Sequence, residues 1–297
     1  MRPEPTGGTV DYRNELKFGS FITPANQDPQ GTVDLAVESE RAGLDLVTFQ
    51  DHPYQPRFLD TWTLLSYVAA RTERVSLAPN VANLPLRPPA VLARSAASLD
   101  NLTGGRVELG LGAGAFWDAI VALGGRRLSP GQAVQATREA IGVIHSAWGR
   151  GPARVEGEFY SARGAKVGPR PAHDIGIWVG ALKPRMLALT GSLADGWLPS
   201  IGRMSAQEIT DGNARIDDAA VAAGRRPEDV VRIANLSGPL TPQVVPEWVD
   251  QLTALTLGEG FSTYVFSADD PVGLQVAGQE IAPAVREAVA AERSRRA

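Results

Sequence analysis

Eight times along this chain a short β-rich run precedes a longer stretch of helical spacing or simple linker, and that alternation limits the folds available. The runs occupy residues 16–22, 44–50, 75–82, 107–111, 175–179, a short one starting at Trp197-Leu198, then 230–236 and 262–266. Between them, Val33, Ala36 and Val37 fall on one face while Asp34, Glu38 and Arg41 fall on the other. Val134, Thr137, Ile141, Ile144 and Trp148 recur at alternating steps of about three and four, the spacing of an amphipathic helix. Punctuation agrees with these assignments. Asp60 stands where an N-cap belongs, Pro88-Pro89 opens a helix, and Gly43 and Gly104-Gly105 suit helix ends.

Strand-then-helix units repeated through 297 residues without a break in composition predict an α/β fold. The expected architecture is one (β/α)8 TIM barrel, a single domain with an insertion between strands four and five. A doubly wound dinucleotide-binding sheet would place a glycine-rich turn after the first strand, and the turn here reads Thr23-Pro24-Ala25-Asn26. The insertion, residues 149–173, is rich in Gly, Arg and Pro and is expected to form a lid or small hairpin over a site. Residues 1–14, with Pro3, Pro5, Gly7 and Gly8, read as a loose N-terminal tail, leaving 15–297 as the barrel domain.

Charge and composition narrow the chemistry. A net charge of −4 offers no basic footprint, so nucleic acid is not an expected partner. With no cysteine, disulfides, thiolate nucleophiles, iron–sulfur clusters and thiolate zinc sites are excluded, and three scattered histidines assemble no metal site. No apolar run approaches the ~18 residues of a membrane span, so a cytoplasmic protein is expected. Paired glycosidase carboxylates, a Gly-x-Ser-x-Gly elbow and a Walker loop do not stand out. Acid–base or hydride chemistry on a bound organic cofactor is what is left.

Barrel sites are built at the C-terminal ends of the strands. The second strand ends in Gln50-Asp51-His52-Pro53, and His52 is the one histidine expected at that rim. It serves either proton transfer near neutral pH or a structural role, bonded to a carboxylate such as Asp51. His145 falls within a helix and His173 before the fifth strand, at the opposite end. Strand four runs into Gly110-Leu111-Gly112-Ala113-Gly114-Ala115, where small residues let main-chain N–H groups approach an anion or simply make a tight turn. Strand five ends in Gly180-Ala181-Leu182-Lys183-Pro184-Arg185, a helix start flanked by two cations.

At these residues the chain resembles the luciferase-like flavin monooxygenase superfamily, and within it the branch that uses the deazaflavin coenzyme F420. The resemblance spans roughly residues 16–291 and rests on AGLDLVTFQDHPY (42–54), NLPLRPPAVLARSAASLDNLTGGRVELGLGAG (83–114) and LADGWLPS (193–200). It implies a cofactor ring in the barrel mouth with its phosphate tail across the loops after strands four and five. His52 matches the family's active-site histidine, a proton donor or stabiliser of charge on the ring. Asp51 would hold its tautomer or contact the ring's polar edge. Asn80-Val81 matches the position of a non-prolyl cis peptide that bulges behind the ring. Gly112, Ala113, Gly114 and Ala115 match the grip on the tail, as do Gly180, Ala181, Leu182 and Lys183.

One departure bears on substrate. Some deazaflavin relatives carry a catalytic glutamate directly after the glycine turn, and this chain has Ala115 followed by Phe116 and Trp117. Sugar-phosphate oxidation through that acid is therefore not expected; the two aromatic residues meet an apolar substrate or pack under the long loop. The leading expectation is hydride transfer between F420 and an unidentified organic substrate. The alternative is a two-component monooxygenase using reduced FMN and oxygen, and a third is a non-catalytic cofactor-binding protein. A homodimer, and a reductase for the flavin or for F420, are the implied partners.

Overall fold

The computed structural model describes residues 10–151, 154–163 and 168–296. β1 (Lys17–Ile22) leads to α1 (Pro29–Arg41), and β2 (Leu46–Phe49) to α2 (Thr61–Ala69). The third stave is broken into β3 (Ser76–Pro79) and β4 (Ala82–Asn83) and precedes α3 (Pro89–Thr103). β5 (Leu109–Gly112) is followed by short α4 (Trp117–Ala122) and long α5 (Pro130–Ala147). A hairpin, β6 (Arg154–Val155) and β7 (Ala162–Arg163), comes before β8 (Ile177–Val179) and α6 (Pro184–Leu193). Then β9 (Gly196–Trp197) precedes α7 (Ala206–Ala222), and β10 (Val231–Leu236) precedes α8 (Val245–Glu259). β11 (Phe261–Ser267) leads into α9 (Pro271–Gln275), which continues through a π-helical turn, Val276–Ile281, to α10 (Ala282–Arg295).

The main sheet runs β3-β2-β1-β11-β10-β9-β8-β5-β4, with parallel pairing throughout. Because β3 and β4 are halves of one stave, the sheet closes on itself. Leu77 bridges to Val107, its N–H donating to Arg106 O at 2.7 Å while Glu108 N–H donates to Leu77 O at 2.9 Å. Eight staves result, so the expected (β/α)8 barrel is the fold observed.

Parallel strands sheathed by helices are apolar on both faces. β2, LVTF, is buried at all four positions. Alternation sends Leu46, Ala78, Trp178, Ile233 and Val265 into the barrel interior, and Val47, Leu77, Val179 and Ala234 out under the helices. Each fully buried Leu, Ile or Val contributes roughly 1.5–3 kcal/mol. Periodicity does not predict α7, whose buried stripe of Ile209, Gly212, Asn213, Ile216 and Ala220 is short of large apolar side chains. Its legible mark is the capping box, in which Ser205 and Glu208 side chains each accept the other's main-chain N–H.

One expectation needs adjustment. Residues 10–14 are tied down rather than loose: Tyr12 Oη donates to Asp217 at 2.7 Å, its ring lies 4.8 Å from the buried Arg232 guanidinium, and Asp11 pairs with Arg293 at 2.7 Å. The rest of the supposed tail, 1–9, lies outside the described residues. In the insertion, residues 152–153 and 164–167 also lie outside; the described part forms a small antiparallel hairpin, one of the two forms expected, its β6–β7 turn held by a buried carboxylate. Glu139 accepts the N–H groups of Glu158, Phe159 and Tyr160 at 3.1, 2.8 and 3.0 Å.

At the N-terminal end of the barrel, polar groups serve stability. Buried Asp100 accepts the N–H groups of Val107, Ala172 and His173, and its Oδ1 lies 2.8 Å from His173 Nδ1. Glu108 lies 3.7 Å from the other ring nitrogen. Glu108 and Asp100 together push the His173 pKa up from 6.5 to about 9. The folded chain thus holds this proton more tightly than the unfolded one, so the stabilisation is complete below pH 6.5 and fades as pH rises through about 9. Unfolding midpoints measured across that window should fall with pH, and His173→Gln should flatten the decline. An equal decline in the variant would assign it to another group.

Candidate active site

The loops after staves two and three meet over a buried charge. Asp51, 1% exposed, directly follows Gln50 at the end of β2. A carboxylate there needs donors, and both its oxygens have them. Asn83 N–H donates to Oδ2 at 2.8 Å, and Arg87 donates from Nε to Oδ2 at 2.5 Å and from Nη2 to Oδ1 at 2.7 Å. Arg87 also reaches Asp60 at 2.6 Å, and Asp60 caps α2 through Thr63 N–H. One guanidinium therefore links the ends of two staves to the start of the next helix.

This arrangement revises the expected Asp51–His52 pairing. Asp51 acts on the imidazole through charge, not a hydrogen bond. Burial lowers the His52 pKa below 6.5, with Asp51's charge only partly opposing it. At neutral pH the ring is uncharged, able to accept a proton or donate one N–H. It stacks on Tyr54, centroids 5.3 Å apart, lies 6.4 Å from Phe58, and meets Phe116 edge-on at 5.6 Å. Tyr54 and Phe58 belong to this wall although residue-type reasoning had singled out neither. The dense aromatic loop HPYQPRF was their available signal.

The peptide between Asn80 and Val81 is cis. Val81 lies over positions that tolerate no side chain: a Cβ at Gly112 would come within 2.6 Å of its Cγ2, and one at Gly110 within 2.3 Å of Pro79 O. The glycines read as anion-friendly thus also make room for the third stave. Asn80 Nδ2 donates to Asn235 Oδ1 at 2.7 Å and Asn235 Nδ2 returns a bond at 3.1 Å. Asn235, at the end of β10, had carried no signal, because only closure of the barrel brings positions 155 residues apart together.

Around the expected tail grip, the groups differ in what they can offer. Gly180 N–H is taken by Leu111 O at 3.2 Å, so it is not available as a ligand donor. Ala181 is buried, its carbonyl accepting from Trp197 Nε1 at 2.9 Å. Leu182 and Lys183 are exposed, and α6 begins after Lys183 with Pro184 and no side-chain cap; the Met186 and Leu187 N–H groups donate to Lys183 O at 2.9 and 3.0 Å, so of the first turn it is the Arg185 N–H that a ligand could take. Gly112, Ala113 and Gly114 are partly accessible and Ala115 is exposed. Gly114 has φ +97°, and a Cβ there would meet Pro85 and Trp117 at 2.9 Å. Phe116 projects beside His52, 57% exposed, whereas Trp117 packs against the small cluster of Leu128, Ala133 and Ala136. Among the described residues no group of three or more His, Asp or Glu side chains is placed to hold a metal.

The luciferase-like monooxygenase family matches residues 16–238, and the chain belongs to that family. An F420-dependent glucose-6-phosphate dehydrogenase from Nakamurella multipartita is 30% identical over 222 residues, which cover 72% of this chain and 65% of that protein. The chain thus spans just under two thirds of that relative's length. The coenzyme F420-dependent tetrahydromethanopterin reductase of Methanopyrus kandleri aligns with a TM-score of 0.71 at 20% identity, covering 91% of this chain and 99% of its own. A riboflavin lyase, solved with modified FMN and riboflavin, aligns at 0.76 with 15% identity over 93% of this chain and 92% of its own. At such identities these two structures share the fold.

The Asp51 cluster makes a clear stability test. Arg87→Met leaves a carboxylate that is 1% exposed without its counter-charge and should cost about 3 kcal/mol, read from denaturant midpoints. Loss below about 0.5 kcal/mol would show that Asp51 does not depend on Arg87.

Proposed function

We propose that this protein is an oxidoreductase that transfers hydride between coenzyme F420 and a small organic substrate. The observation that carries the reading is His52: an uncharged imidazole held against an aromatic wall that includes Phe116, the residue directly after the turn at 112–115. The residues fit such a group. The turn at 112–115 is accessible and its glycines add no side chains of their own, and the α6 start, without a side-chain cap and with exposed Lys183 and Arg185, suits an anion. When bound, the ring supplies hydride donation or acceptance.

The chain's own part is binding and proton movement. The turn at 112–115 and the start of α6, through the Arg185 N–H and exposed Lys183, would hold the anionic tail, and Val81 would face the ring. His52 takes or returns the substrate's proton through an imidazole nitrogen, and Arg87 keeps Asp51, and with it the His52 loop, in place. Tyr54, Phe58 and Phe116 exclude water and favour an apolar substrate. Ala115 supplies no acid after the glycine turn, so the substrate should differ from the glucose 6-phosphate named for the Nakamurella relative. FMN with oxygen is the second reading, since both cofactors offer a tricycle and a phosphate-bearing chain. A reductase partner and action in the cytoplasm belong to the same proposal; among the described residues no helix is long and apolar enough to cross a membrane.

Titration of purified protein with F420 and with FMN, followed by absorbance, tests the cofactor; tight FMN binding with no response to F420 would overturn the deazaflavin assignment. In the direction where His52 accepts a proton, kcat/KM should be level at pH 7 and fall on acidification below pH 6.5. His52→Ala should lose about 10²–10⁴-fold in turnover and that acid limb while still binding cofactor. Unchanged turnover would remove His52 from the mechanism.

The homodimer is proposed to form along α2 and α3, where Val91 and Leu102, 63% and 84% exposed, line a surface groove of about 480 Å³ and Tyr67 of α2 is 52% exposed. Leu102→Glu should convert dimer to monomer in light scattering. A wild-type monomer would end this part of the proposal.

A further inference from the structure

We propose that Asn83 is a ring-binding residue, its side-chain oxygen left without a hydrogen-bond partner among the described residues so that the amide can hydrogen-bond the polar edge of the cofactor ring. The inference rests on the reading of the mouth as a flavin or deazaflavin site and names a contact for it. In β4 the side chains of Ala82 and Asn83 point to opposite faces. Ala82 belongs to the core between strands and helices, which puts Asn83 on the inner face at the mouth. Its register partner is Gly112, which adds no side chain of its own beside Asn83, the space of its missing Cβ being taken by Val81.

Asn83 is fixed in place, because its main-chain N–H is held by Asp51 at 2.8 Å. It is 6% exposed, yet its Oδ1 has no hydrogen-bond partner among the described residues. A buried polar atom in that state destabilises the fold unless something binds it. Nearby amides show that the mouth can satisfy such groups: Asn80 and Asn235 satisfy each other with two bonds. Among the described residues the other buried side-chain atoms without partners are Trp62 Nε1, Thr253 Oγ1 and Ser262 Oγ. Trp62 and Thr253 lie on the helices α2 and α8, outside the ring of strands, and Ser262 near the start of β11, at the opposite end of the barrel.

A carboxamide presents a donor and an acceptor side by side, and no bond to Oδ1 fixes which end faces the mouth. Its natural complement is a planar ring bearing adjacent C=O and N–H groups. The pyrimidinedione edge common to flavins and deazaflavins has that pattern, and a phosphate does not.

Asn83→Leu separates this role from a structural one. In the cofactor-free protein the melting temperature should hold or rise, since an unpaired polar group is replaced by an apolar one of similar size. Dissociation constants for F420, FMN and riboflavin, measured by fluorescence titration, should rise about tenfold for whichever ring the wild type binds. Riboflavin lacks the phosphate, so equal weakening of riboflavin and FMN places the contact at the ring. Asn83→Ser, which restores one polar group, should recover part of the affinity. Unchanged affinity in Asn83→Leu, or a cofactor-free melting temperature lowered by several degrees in both variants, would overturn the proposal. Failure of the wild type to bind any of these compounds would instead overturn the cofactor reading, and the melting comparison would still test whether the amide has protein partners.

Discussion

A carboxylate placed at the end of a buried strand sets the terms for everything around it. Asp51 has no water to turn to, so the chain brings it a guanidinium and a main-chain N–H from the segment after the third stave. Meeting that demand joins staves two and three at the rim and places the His52 loop over the barrel. The same guanidinium reaches the residue that caps α2. A charge that contributes little by itself thus acts as a positional constraint on the site.

The two ends of the barrel treat polar groups differently. At the N-terminal end Asp100, Glu108 and His173 satisfy one another, and Arg232 is met by Asn213, Asp217 and Tyr12. At the C-terminal end the Asn83 amide oxygen is left unpaired, Phe116 is exposed, and the start of α6 is uncapped. Groups left unsatisfied cost stability, and they are also the groups with binding capacity to spare. The division matches the rule that barrels carry stability at one end and chemistry at the other.

The glycines of GLGLGAG show how one residue answers two demands. Read along the chain, they suit main-chain approach to an anion. In three dimensions Gly110 and Gly112 also yield space to Pro79 and Val81 of the adjoining stave, where any Cβ would clash. Meanwhile Gly180, which read as an equivalent donor, has its N–H committed to the ladder between β5 and β8. Composition points to a permissive turn; hydrogen bonding decides which of its N–H groups a ligand could reach.

Local patterns were enough to establish the alternation of staves and helices, and with it the barrel, because parallel strands buried on both faces and one-sided helices leave period and punctuation in the chain. They also marked His52 as the histidine at the strand-end rim, since position in a barrel follows from order. α7 escaped because its buried stripe is mostly small or polar, leaving only its capping box to read. Residues 10–14 escaped because their anchors, Asp217, Arg232 and Arg293, lie more than two hundred positions away. Arg87 on Asp51, Asn235 on Asn80, and Asn83 with its unpaired oxygen were likewise settled only when the ring of strands closed. Spacing can report the residue's own element, but a hydrogen bond depends on the distance and direction between groups that only the closed fold brings together.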